Sequence, residues 1–214
     1  MMNFTRLPVM LLLGFMALSW FSQSDNWTKT KAANRPKSKR TASANSIWLS
    51  KMKEKATEAK SFTKQKGYNH NYCFLIDMNL PSGQNRFFVY DLKKDSILHK
   101  GLVAHGNCYE YWLEGRRYSN VVGSGCTSLG RYKVGASYIG KWGYSYKLHG
   151  LDSTNNKAFE RTVVLHGHSC IPKEETSDEI CQSNGCPTVS PAFLDKLKAI
   201  INHSAKPVLL WIYE

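Results

Sequence analysis

The sequence predicts a mainly β fold of the α+β class, a β-sandwich or open barrel. Three observations lead there. Seven short stretches rich in apolar and β-branched residues follow one another from Tyr72 onward, separated by turn signals. A single helical pattern lies among them, and a second precedes them all. The chain has no internal repeat, which excludes solenoids and propellers.

The first element is a leader. Met1 to Phe21 carries one positive charge, Arg6, and then an uninterrupted apolar run from Leu7 to Leu18. A comfortable membrane span needs about 20 residues. The run is therefore read as a secretory signal peptide within residues 1–24, with Ala17-Leu18-Ser19 as a small-x-small cleavage site. The bulky Trp20 and Phe21 keep an uncleaved N-terminal anchor open as the alternative. No cysteine follows the run, which argues against a lipoprotein. Either way the chain is expected to be exported, to a periplasm or cell envelope.

Residues 25–45 read as a basic linker. They are poor in apolar residues and rich in Lys, Asn and Ser, a composition that cannot bury a core. The formal charge of +13 is concentrated here and in the next element: residues 25–66 hold twelve Lys or Arg against three acidic residues. Such a segment is attracted to anionic surfaces, with salt weakening the attraction, or serves as a solvated spacer. No nucleic-acid-binding module is recognisable, so nucleic acid is not an expected partner.

From Ser46, Trp48, Met52, Ala56, Ala59 and Phe62 recur at three- or four-residue spacing with lysines opposite. That pattern predicts an amphipathic helix over 46–66, capped by Ser46 and stopped at Gly67. Its stripe is expected to pack on the following domain, 67–214, with a membrane surface as the alternative. Strands are predicted near Tyr72–Asp77, Arg86–Asp91, Ile97–His105, Gly130–Val134, Tyr144–Leu148, Arg161–Leu165 and Pro207–Tyr213. The internal helix begins at Pro191 behind a Ser190 cap and buries Phe193, Leu194, Leu197, Ile200 and Ile201.

The chemistry concentrates between Arg161 and Ser190. The β-branched residues Thr162, Val163 and Val164 form a stiff strand that ends in His166-Gly167. Twenty residues later, Ser183-Asn184-Gly185-Cys186 presents a thiol on a tight turn whose N–H groups can face a ligand. A thiol is a strong nucleophile only as thiolate, a minor species at neutral pH, and an imidazole both deprotonates it and returns the proton to a leaving group. Cys186 lies four residues before the Ser190 cap, too far for the helix dipole to be its main activator.

With Leu165-His166-Gly167 on a strand, Ser183-Asn184-Gly185-Cys186 before a helix, and Ser128-Leu129-Gly130 upstream, residues 71–213 resemble the L,D-transpeptidase catalytic domain (YkuD-like). The likeness is closest to its murein branch with a Gly-Cys-Pro turn. It implies an open barrel of mixed sheets and an exported cysteine acyltransferase acting on peptidoglycan stem tetrapeptides without a cofactor. Cys186 would be the nucleophile, His166 the base, and the Gly167 backbone carbonyl the group that orients it. Gly185 and Cys186 N–H groups would form an oxyanion hole, with Ser183 bracing the turn. Asn184, where many members carry His, together with Ser128, Gly130, Tyr138 and His105, would face the substrate. Water as acceptor would make the same site an L,D-carboxypeptidase.

Six cysteines less one nucleophile leave five. Spacing suggests Cys170 with Cys181, closing a loop of about 12 residues for about 3 kcal/mol, and Cys108 with Cys126, with Cys73 buried and reduced. The competing possibilities are zinc held among His166, His168, Cys170, Cys181 and Cys186, and a catalytically silent wall-binding domain. No Cys-x2-Cys pair is present, and export favours disulfides over zinc thiolates. The sequence does not fix the oligomeric state.

Overall fold

The computed structural model describes residues 42–214; the expected signal peptide or anchor, and the linker up to residue 41, lie outside the described residues. Helix α1, Ala42–Lys66, starts four residues ahead of the expected Ser46 cap, so Ser46 lies within the helix. Alanines at 42 and 44 are the strongest helix formers, and they extend it backwards. It stops as expected at Gly67, whose φ of +72° an L side chain rarely adopts. Met52, Ala56 and Ala59 are buried against the sheet, with Trp48 and Phe62 packed beside them, so the domain covers the apolar stripe. Helix and sheet therefore share one core.

Among the described residues nine strands follow: β1 Tyr72–Asp77, β2 Phe87–Asp91, β3 Ser96–Gly101, β4 Val103–Ala104, β5 Gly130–Gly140, β6 Gly143–Gly150, β7 Val164–Gly167, β8 Thr188–Val189 and β9 Leu209–Tyr213. They form one sheet in the order β3-β2-β1-β9-β5-β6-β7-β8-β4. Pairings β1–β9 and β7–β8 are parallel, the others antiparallel. β3 and β4 lie at opposite ends of that order, yet only Leu102 separates them in sequence. The sheet must therefore curl until its two edges approach. The result is the expected open barrel of mixed strands.

Period-two alternation divides the core. Along β1, Phe74 and Ile76 face one cluster with Phe87, Tyr132, Leu165 and helix α2, while Cys73 and Leu75 face the other, beneath α1. Helix α2, Pro191–Asn202, has Ser190 at its N-cap, where Oγ accepts the Phe193 N–H at 3.3 Å. Phe193, Leu194 and Leu197 are buried, while Ile200 and Ile201 are only partly so.

Three predicted strands change, the first being Gly130–Val134, which runs on to Gly140 as β5. The segment Ile97–His105 breaks at Leu102, where the chain passes from one sheet edge to the other. The segment Arg161–Leu165 loses its first three residues: Thr162 has φ +54°, and Arg161, Thr162 and Val163 donate their N–H groups back to Lys157, Phe159 and Ala158. Strand β8 was not anticipated.

Candidate active site

The parallel register of β7 and β8 builds the site. It sets His166 opposite Thr188 and Gly167 opposite Val189. Two residues earlier on each chain, Cys186 meets Val164, whose N–H donates to Sγ at 3.5 Å. Both functional side chains open on one cleft of about 230 Å³, with Trp142, His168, Asn184 and the Cys170–Cys181 bridge in its walls.

His166 is buried, and its hydrogen bonds fix the tautomer. Nδ1 lies 3.2 Å from the Gly167 carbonyl, which can only accept, so Nδ1 carries the proton. Nε2 is left with its lone pair, met by Thr188 Oγ1 at 2.9 Å. Burial lowers the imidazole pKa against the opposing effect of the Gly167 contact, with His168 lowering it further, so the ring is neutral at pH 7. Trp142, at the tip of the β5–β6 hairpin, stacks on this ring at 5.6 Å between centroids and 20° between planes. It also meets His168 edge-on at 5.4 Å.

The Cys186 thiol is half-buried and unbridged, with Sγ 4.0 Å from the Thr162 carbonyl. Burial raises its pKa, while the Val164 N–H and the Arg161 guanidinium lower it. The resting pair is therefore thiol and neutral imidazole. Ser183 holds the turn: its Oγ donates to the Cys186 carbonyl at 2.7 Å and accepts the Gly185 N–H at 3.2 Å. Below the turn, Arg161 donates to the carbonyls of Ser119 at 2.7 Å and Cys126 at 2.5 Å, and to the hydroxyls of Ser128 and Ser124. The Cys126 carbonyl sits directly under Gly185.

The family description "L,D-transpeptidase catalytic domain" matches residues 43–213. The chain belongs to that family. Solved structures similar to this L,D-transpeptidase-family chain include the helical cell shape determining protein Pgp2 from Campylobacter jejuni. There the TM-score is 0.45 at 13% identity, over 67% of this chain and 47% of that one. An L,D-transpeptidase from Xylanimonas cellulosilytica gives 0.38 at 17%, covering 72% and 68%. An L,D-transpeptidase from Mycobacterium smegmatis gives 0.38 at 11%, covering 67% and 59%. This chain thus spans about half the length of the first of them. No curated protein sequence matches it.

Of the residues expected at the site of this L,D-transpeptidase domain, the structure brings together Cys186, His166, the Gly167 carbonyl, Ser183 and Asn184. Gly185 forms the turn, but its N–H is engaged by Ser183, which leaves Cys186 N–H as the nearer candidate for an oxyanion donor. Three expectations need correction. Ser128 is buried, its hydroxyl held by Tyr132 and Arg161, so it supports the turn from below. Gly130 opens β5 with the Asp152–Asn155 loop packed against it, away from the cleft. His105 is buried behind the turn with Nδ1 3.0 Å from Arg86 Nη2; only its backbone serves the site, accepting the Ser183 N–H at 2.8 Å. Tyr138, by contrast, is exposed on β5 opposite Ser145, which in turn pairs with His166, and the Lys147 ammonium lies over its ring.

Sequence reasoning missed Trp142, Thr188 and Arg161. The first stands between Gly140 and Gly143, an aromatic at a glycine-marked turn. Thr188-Val189 is a β-branched pair just ahead of the helix cap, too short to register as a strand. The two disulfides are Cys108–Cys126 and Cys170–Cys181, as spacing suggested, and Cys73 is free and buried. Bridging removes Cys170 and Cys181 as thiolate ligands for zinc.

Proposed function

We propose that this domain is an exported cysteine L,D-transpeptidase that acts on peptidoglycan stem tetrapeptides and forms 3-3 cross-links. One observation carries the proposal: the free thiol of Cys186 shares a cleft with an imidazole whose Nε2 lone pair is fixed by Nδ1–H donation to a backbone carbonyl. Family membership supplies the reaction class. Two disulfides accord with an oxidising compartment outside the cytoplasm, where the expected leader would send the chain.

In this scheme Sγ attacks the carbonyl at the L-centre of the diamino acid while His166 Nε2 takes the thiol proton. Thr188 Oγ1 gives up its hold on Nε2 as it does so. Charge on the carbonyl oxygen develops toward the Cys186 N–H, a type of contact worth about 3 kcal/mol of barrier. The imidazolium returns its proton to the departing amine, the C–N bond breaks, and D-alanine leaves a thioester on Sγ. The side-chain amine of a second stem then attacks the thioester, losing a proton to His166 and releasing the thiol.

The test is mass spectrometry of a disaccharide-tetrapeptide incubated with the full chain. Loss of alanine together with a cross-linked dimer is expected, and Cys186→Ser should show neither. Loss of alanine without dimer would assign water as the acceptor. Retained activity in Cys186→Ser would overturn the nucleophile.

A further inference from the structure

The loop between β4 and β5 exposes aromatic rings that its packing does not require. Tyr109 is 65% exposed, Tyr111 fully so, and Trp112 45%. Three large rings within four residues, each left in water, are a cost to a folded chain unless something covers them. The segment that carries them is nonetheless tightly built. Asn107 and Glu110 close a turn, with the Asn107 side chain accepting the Tyr109 N–H at 3.0 Å and donating to the Glu110 carbonyl at 3.0 Å. Cys108 and Tyr109 both take positive φ, +55° and +60°, which bulky residues seldom adopt. The bridge to Cys126 and an Arg117–Glu110 ion pair pin the same turn.

Both ends of this segment are tied to the rim of the catalytic cleft. The Asn107 N–H donates to the Ser183 carbonyl at 2.7 Å. At the other end Gln182, itself part of the cleft wall, grips buried Leu113 twice, accepting its N–H at 3.0 Å and donating to its carbonyl at 2.7 Å. The rings thus stand on a braced arch that starts and finishes beside Cys186.

We infer that Tyr109, Tyr111 and Trp112 form a stacking platform for the glycan strand of the substrate, an N-acetylated hexosamine chain. This rests on the function proposed above and names the part of the substrate outside the peptide cleft. A pyranose presents a face of polarised C–H groups bounded by hydroxyls. Aromatic faces attract such C–H groups, while the Tyr hydroxyl and Trp Nε1–H can reach the sugar's polar edge. The three stem residues between the attacked carbonyl and the glycan span about 10 Å when extended. A donor peptide seated at Cys186 therefore brings its sugar to the rim, where the arch begins.

The experiment uses the full chain and peptide-free glycan strands as the probe, titrated calorimetrically and by tryptophan fluorescence. The parent should bind them, and Tyr111→Ala with Trp112→Ala should weaken binding by about tenfold or more. Tyr111→Ala alone, at a fully exposed position, guards against misfolding and should also weaken it. No binding by the parent, or equal binding by parent and variants, would overturn the platform. Alanine release from a bare tetrapeptide by the parent is measured alongside. If that release is absent while glycan binding responds to the substitutions, the catalytic reading falls and the platform stands.

Discussion

Gly185→Ala is the substitution that most directly tests how the nucleophile is held. Gly185 has φ +103°, where an L residue costs about 1–2 kcal/mol. A Cβ there would stand 2.6 Å from the Cys126 carbonyl oxygen, closer than real Cβ contacts come. That oxygen cannot yield, because Arg161 Nη2 holds it at 2.5 Å and the Cys108–Cys126 bridge anchors the residue behind it. The Ser183–Cys186 turn must move instead, by about half an ångström, and Sγ moves with it. Since a 1 Å misplacement of reacting groups can cost about 100-fold, the expected loss in turnover is about tenfold or more. Stability should fall by about 1–3 kcal/mol. Urea denaturation reads the second quantity, and alanine release per thiol titrated with an alkylating agent reads the first. Turnover per thiol within twofold of the parent, at parental stability, would refute the idea that the Cys126 carbonyl sets the position of the nucleophile.

Three further outcomes are expected. His105 is neutral when folded, its pKa held to about 4 mainly by burial and then by Arg86, and it protonates near 6.5 when unfolded. The unfolded chain therefore binds more protons between those values, and stability should fall by roughly 3 kcal/mol as pH drops from 7 to 4, with His166 acting in the same direction. Urea midpoints across that range check this, and His105→Gln should flatten the slope. Alkylation without reductant should label Cys186 in the folded protein and Cys73 only after unfolding; reducing the Cys170–Cys181 bridge should cost about 3 kcal/mol. Trp142→Ala should slow alanine release several-fold while leaving the thermal midpoint near the parent's, because the ring is half-exposed and its main partners are His166 and His168.

Much of this domain was legible because local rules and tertiary structure agree in it. Strand β1 emerged with the residues expected, since a short apolar and aromatic run between turn signals has few alternatives, and the Ser190-Pro191 start of α2 satisfies two capping rules at once. The His166–Gly167 contact and the Ser183 brace follow from residues adjacent in sequence. What stayed hidden depends on contacts between distant segments. Arg161 gains its importance from carbonyls some 35 and 42 residues away. Trp142 reaches His166 only because β6 pairs with β7. The placing of His105 and Ser128 failed for the converse reason: polar residues near a motif were expected to face the cleft, whereas a guanidinium claims each of them, buried Arg86 the first and partly buried Arg161 the second.

The place of β9 has a consequence for how the domain comes into being. It is the last of the described strands in sequence, yet it lies between β1 and β5, parallel to one and antiparallel to the other. Until Leu209–Tyr213 has been made, the two halves of the sheet have no common strand, and the pairing of β1 with β9 spans about 136 residues of chain. Such long loop closures come late and slowly. A partly synthesised chain can pair neighbouring strands but cannot assemble the barrel, and it acquires its cleft only when the whole sheet closes.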